Sequence, residues 1–175
     1  FCLKSCVDEL FQVKDRYISA VTIYIVRHAK AGKRSEWHDD DNLRPLSPTG
    51  WKQAELVAER LKDLSITSLI SSPATRCFQT LEPLAKMTKL SVQIDKRLLE
   101  HGDIADMLEV VQEVEDSAVL SSHGDMIPEL IKTLERRGME VKSKPDWRKA
   151  SVWVVERTNR GFESATAWPP PQVED

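Results

Sequence analysis

Two histidines, two arginines and a carboxylate stand in this chain just where apolar runs stop. Arg27-His28-Ala29 follows residues 21–26, Ser71-Ser72-Pro73-Ala74-Thr75-Arg76 ends a second short run, Leu99-Glu100 comes after residues 90–94, and Ser122-His123-Gly124 closes residues 117–121. The chemistry open to such a set is that of a phosphoryl group, which carries close to two negative charges near neutral pH. Arg27 and Arg76 supply planar, permanently charged forks that match its oxygens. The exposed amides and positive dipole end of the helix carrying Arg76 add to them, and His123 can donate to the same oxygens. A neutral imidazole nitrogen of His28 can attack phosphorus and form a covalent phosphoenzyme. The arginines neutralise the transferred charge. A protonated carboxyl group would serve the leaving group as general acid; Glu100 is the first choice, with Asp103 and Asp125 as alternatives.

For these residues to meet, the runs that precede them must lie side by side. Residues 21–26 (VTIYIV) are β-branched and aromatic, which predicts a buried strand. A loop over 29–46 follows. Ser47-Pro48-Thr49-Gly50 opens a helix with Ser47 as its cap and Pro48 in the first turn, continued by Ala54, Val57, Ala58, Leu61 and Leu64 at helical spacing. Residues 68–71 predict a second strand. Ser72-Pro73 repeats the cap-then-proline pattern, and the helix it starts carries the stripe Ala74, Cys77, Leu81, Leu84, Ala85. Residues 90–94 alternate like a strand, 103–114 form a helix, 117–121 a third core strand, and 125–137 a helix stopped at Gly138. Residues 151–156 and 162–168 pair across Thr158-Asn159-Arg160-Gly161. Strands alternating with helices predict an α/β fold, a three-layer sandwich with a mainly parallel central sheet flanked by helices. Such sheets bind ligands beyond the carboxyl ends of their strands, where His28, His123 and Arg76 converge. Residues 1–20 read as an N-terminal appendage with one short helix around residues 7–13, residues 21–168 as the folded domain, and residues 169–175 as a mobile tail.

Composition narrows the partners. With 175 residues, 41% of them hydrophobic, the chain can bury one domain core. A formal net charge of -3 argues against a general nucleic-acid surface, and no apolar run approaches the roughly 20 residues needed to span a bilayer. The first residues, which do not begin with Met, hold no sustained apolar stretch and do not read as a signal peptide. Three cysteines without a Cys-x-x-Cys pair (Cys2, Cys6, Cys77) fit reduced thiols, so a cytoplasmic location is expected; Cys77 reads as a small core residue. His38-Asp39-Asp40-Asp41 has the look of a metal-ligand cluster, but Asn42, Leu43 and Arg44 break the calcium-loop pattern. It reads as a solvated loop between His28 and Arg44 that can help select substrate. No metal and no cofactor are expected, since the arginines supply the charge a metal otherwise would. Trp147, Trp153 and Trp168 read as core or rim packing. The basic segment 136–148 is either a solvated loop or a docking surface for an acidic partner.

Arg27-His28-Ala29 after a strand, the SSPxTRxxQT segment at 71–80, Leu99-Glu100 and Ser122-His123-Gly124, in this order, resemble the histidine phosphatase superfamily, which has the phosphoglycerate-mutase-like fold. Ala29 stands where glycine is commoner in that family; both are small. The short chain, the segment Arg44-Pro45-Leu46-Ser47 with Gly50, and the lack of a large inserted cap are similar to the SixA branch. The resemblance implies His28 as the phosphorylated residue, a phosphate pocket of Arg27, Arg76 and His123, a contribution from Arg44, and an acid at Glu100. It implies a metal-independent phosphatase acting on phosphohistidine in a partner protein or on a small phosphorylated molecule. Two alternatives stand beside it: a nucleotide-phosphate hydrolase related to the phosphatase halves of Nudix fusions, and a non-catalytic phosphate-binding module.

Overall fold

The structure, a computed structural model, describes residues 20–173. The short helix expected before residue 20, together with Cys2 and Cys6, falls outside the described residues. Strand β1 (Val21–Arg27) sends Ile23 and Ile25 into one core and Tyr24 and Val26 into another, and all four are buried. A strand covered on both faces is why the run reads as continuously apolar rather than alternating. It lies inside a seven-stranded sheet of order β3-β2-β4-β1-β6-β7-β5. The others are β2 (Ser68–Ser71), β3 (Val92–Ile94), β4 (Ala118–Ser122), β5 (Glu140–Val141), β6 (Val152–Thr158) and β7 (Gly161–Trp168). Strands β3, β2, β4 and β1 run parallel. Strand β6 is antiparallel to β1 and β7, and β5 is parallel to β7. The expected sheet is therefore present, with one reversed strand. Gly161 after the Asn159-Arg160 turn has φ +133°, a conformation that L side chains rarely adopt. Strand β5 has two residues, too few to show any periodicity in the sequence.

Helices α1 (Pro48–Leu61) and α2 (Thr75–Thr88) pack on the sheet face that carries Tyr24, Val26, Leu69 and Val119. Helices α3 (Ile104–Glu113) and α4 (Met126–Arg136) cover the other face, around Ile23, Leu120 and Trp153. These are the three layers expected. Ser47 caps α1 as its position predicts, its hydroxyl accepting from Gly50 N–H at 3.1 Å. A Cβ on Gly50 would sit 1.9 Å from the Lys30 carbonyl oxygen, so this glycine is what lets α1 abut the loop after His28. Helix α2 departs from expectation: it begins at Thr75 with Ala74 at the cap position and no side-chain cap bond. The Ser72 hydroxyl is engaged elsewhere, with His123. Among the described residues no helix is long and apolar enough to cross a membrane.

Register sets the working edge of the sheet. Arg27 pairs with Ser122 and Ser71 with Ser121, so β1, β4 and β2 end level with one another. The residues that follow each strand must emerge together.

Candidate active site

Backbone bonds beyond the strand ends hold the emerging residues. His28 N–H donates to the Ser122 carbonyl at 3.0 Å, Ser72 N–H to Ser121 at 3.0 Å, and Arg27 N–H to Ser151 at 3.0 Å. His28 is 5% exposed, and its Nδ1 lies 2.8 Å from its neighbour's carbonyl oxygen, that of Ala29. A carbonyl only accepts, so Nδ1 bears the proton and Nε2 the lone pair. Burial first, and then the charges of His123, Arg76 and Lys149, outweigh the Ala29 bond and hold His28 well below the ordinary imidazole value. At neutral pH it is an uncharged ring of fixed tautomer. His123 stands edge-on to it, with ring centroids 5.6 Å apart and an interplanar angle of 66°. Its Nε2 is 2.8 Å from the Ser72 hydroxyl and its Nδ1 3.4 Å from Arg76 Nη2. Guanidinium nitrogens only donate, so Nδ1 is the acceptor. Burial, then Arg76, pushes His123 down to about 4.

Arg76 is fully buried in the first turn of α2, where a cation opposes the helix dipole. Its fork is divided: Nη1 donates to the Asp41 carbonyl at 2.7 Å and Nη2 to Glu100 Oε2 at 2.6 Å. Arg27 donates through Nη1 to the Trp147 carbonyl. The Nε atoms of both arginines are buried without a protein partner, which leaves charged donors for an oxyanion. Gly124 explains its own place after His123, for a Cβ there would lie 2.3 Å from Arg27 Cζ. The guanidinium lies directly over that glycine.

Glu100 follows a 3₁₀ turn, Lys96–Leu98, and faces Arg76 and, at 3.5 Å, Arg34. The two alternative acids are engaged elsewhere. Asp103 caps α3 by accepting from Ala105 N–H, and Asp125 accepts from the backbone N–H of His101 at 2.7 Å. Arg44 is buried at the same end of the sheet, but Asp41 takes its fork: Nε donates to Oδ1 at 2.9 Å and Nη2 to Oδ2 at 3.3 Å. Arg34 grips the same carboxylate at 3.1 and 2.9 Å. Asp41 is thus not part of a solvated run. It is the counter-charge of an arginine cluster, and the hydrogen bonds of Arg44 above all, then those of Arg34, hold its carboxyl far below the usual range. Among the described residues no group of three or more His, Cys, Asp or Glu could hold a metal ion. A shallow cleft of about 520 Å³ opens beside this cluster, bordered by Arg34, Trp37, Asp41, Asn42, Glu100 and His101. A larger groove, about 960 Å³, lies along α1 and α2 and holds none of these residues.

The structure therefore brings Arg27, His28, Arg76, His123 and Glu100 together. Arg44 joins them through Asp41. The roles of Asp41, Arg34, Ser72 and Lys149 were not legible from the sequence. Only the three-residue spacing of Asp41 and Arg44 carried a signal, and it was masked by the acidic run. Cys77 is buried as expected, with its thiol pushed up to about 12 by that burial. Trp147 and Trp153 pack on each other with centroids 4.7 Å apart.

With four separated motifs converging on one strand edge, the class of protein is defined. Residues 23–117 match the histidine phosphatase superfamily (branch 1), and the chain belongs to that family. It is 31% identical over 163 residues to the 8-oxo-(d)GTP phosphatase of Mycolicibacterium smegmatis, a match that takes in 89% of this chain and 50% of that protein. The chain thus spans about half the length of the curated relatives it matches. In fold it is similar to a mycobacterial glucosyl-3-phosphoglycerate phosphatase, with a TM-score of 0.62, 20% identity, and coverage of 78% of this chain and 90% of that one. It is similar also to the protein histidine phosphatase SixA complexed with tungstate, with a TM-score of 0.62, 22% identity, and coverage of 82% and 97%.

Proposed function

We propose that this chain is a metal-independent phosphatase that works through a phosphohistidine at His28. The observation that carries the reading is the fixed tautomer of His28, whose protonated Nδ1 is tied to Ala29 and whose Nε2 keeps its lone pair in a ring that stands against His123 and feels the charge of Arg76. In the first step Nε2 attacks phosphorus, the bond from phosphorus to the leaving oxygen or nitrogen breaks, and Glu100, in its protonated carboxyl form, supplies the leaving group's proton. In the second, water attacks phosphorus and gives a proton to Glu100; the phosphorus–nitrogen bond breaks, its electron pair returns to Nε2, and inorganic phosphate leaves. Arg27 and Arg76 carry the charge of the transferred group in both steps. The fold shared with SixA, solved with the oxyanion tungstate, supports this. The test is mass spectrometry without acid quench during turnover of an aryl phosphate. Phosphate on His28, and loss of turnover in His28→Ala, are expected; binding without turnover would make the protein a phosphate-binding module.

The substrate is a phosphorylated protein or a small phosphorylated molecule. The identity with the 8-oxo-(d)GTP phosphatase favours a nucleoside phosphate as the second reading. Side-by-side rates on nucleoside di- and triphosphates and on phosphohistidine protein separate the two.

A further inference from the structure

Resting on the phosphatase reading above, we propose that Lys149 is a further anion-binding residue of this site, its ammonium donating to an oxygen of the phosphoryl group held by Arg27 and Arg76. Lys149 stands in the connection from β5 to β6, where its neighbour Arg148 is fully matched by a fork onto Asp146 with bonds of 3.0, 3.1 and 2.5 Å. Lys149 is partly buried and, among the described residues, no carboxylate pairs with it. The chain beside it is fastened to the working edge of the sheet. Ala150 N–H donates to the Arg27 carbonyl at 3.0 Å, and Arg27 N–H to Ser151 at 3.0 Å. Lys149 is therefore one residue from a backbone bond to Arg27, which itself precedes His28. Ala150 itself has φ +64°, a left-handed conformation that disfavours a residue with a Cβ.

Burial first, and then the positive charges of Arg27, Arg44, Arg76 and Lys30, lower the proton affinity of Lys149. The same ammonium acts on His28. A lysine on a flexible stem can turn away from such company into water. One kept among four cations, with no counter-ion of its own, is suited to a dianion placed between them. Arg44 and Arg76 are already shared with Asp41 and Glu100, whereas no carboxylate among the described residues holds the Lys149 ammonium.

Isothermal titration of inorganic phosphate into wild type, Lys149→Met and Lys149→Arg tests the assignment without depending on turnover, and aryl phosphate kinetics follow on the same proteins. Lys149→Met is expected to weaken phosphate binding by about ten- to a hundred-fold, the range for one charge-assisted hydrogen bond, with a matching fall in kcat/KM. Lys149→Arg is expected to recover most of both. Phosphate affinity in Lys149→Met within two-fold of wild type overturns the proposal, even if His28 is phosphorylated as expected. Weakened phosphate binding in Lys149→Met with no phosphate ever found on His28 would leave Lys149 in an anion site and overturn the catalytic reading instead.

Discussion

Replacing Gly124 with alanine adds a single methyl group, and the structure says where it lands. Its Cβ would lie 2.3 Å from Arg27 Cζ, 2.4 Å from Nη2 and 2.6 Å from Nε, whereas ordinary contact begins near 3.4 Å. The obstacle is the end of a flexible side chain, and Gly124 carries no positive φ, so the fold can keep its backbone while the guanidinium moves by more than 1 Å. That displacement takes Arg27 off the phosphoryl group. Misplacement of a catalytic group by about 1 Å costs about a hundred-fold, and outright loss of one preorganised donor costs about a hundred- to a thousand-fold. We therefore expect kcat/KM for an aryl phosphate to fall by about a hundred-fold in Gly124→Ala, while the melting temperature changes little. The cause is read from a double-mutant cycle: once Arg27→Ala has removed the guanidinium, the extra methyl should cost less than about three-fold, because sites that share a partner are not additive. Additive losses, or a Gly124→Ala enzyme with near-wild-type kinetics, would refute the placing of Arg27 over Gly124.

The acid side of the pH profile is a second test. His28 and His123 are both held below the ordinary imidazole value, so kcat/KM should stay flat as pH falls through 6.5; an acid limb centred at or above 6.5 counts against the nucleophile. Since the unfolded chain binds those protons first, stability present above about 6.5 should be lost as pH falls from there towards 4, and His123→Gln should make that slope shallower in thermal melts at pH 7 to 4.5. Asp41→Asn frees Arg34 and Arg44 from their counter-charge, so inorganic phosphate should inhibit at lower concentration although the protein melts earlier; unchanged inhibition would show that Asp41 does not compete with the anion. Glu100→Gln should slow alkyl phosphate hydrolysis by about 10²–10⁴-fold and phosphohistidine hydrolysis only mildly, because imidazole leaves without help from a strong acid. Equal damage to both substrates rejects Glu100 as the leaving-group acid.

The parts of this site that could be read in the chain are those fixed by local rules. Arg27, His28 and His123 stand at strand ends that β-branched runs announce, and a parallel sheet sends all its strand ends to one edge. Ser47 behaves as a cap because its hydroxyl accepts from Gly50 N–H while donating to the Lys30 carbonyl at 3.0 Å. Ser72, of identical local type, does not cap α2: β4 brings His123 to 2.8 Å from that hydroxyl, which otherwise takes only a long bond of 3.4 Å from Ala74 N–H. Asp41 looked like one more charge in a run of solvated carboxylates. Only the folded chain shows three arginines around it. Lys149 has no neighbour in sequence to mark it, and its setting comes from the reversed strand β6 lying against β1. Local chemistry predicts what a residue prefers, and tertiary contacts decide which of several suitors it meets.

The level ending of β1, β4 and β2 also governs how the protein comes to be active. The Ser72–His123 contact closes a separation of 51 residues and the Arg27–Trp147 contact one of 120. Contacts of such span are reached late, since the chain must lose loop entropy before they return any energy. Helices α1 and α2 can form next to one another early, and α2 brings Arg76 with it, yet the pocket lacks Arg27 and His28 until β1 lies between β4 and β6. A half-assembled chain therefore has secondary structure without an anion site, and the site comes into being with the last strands to dock.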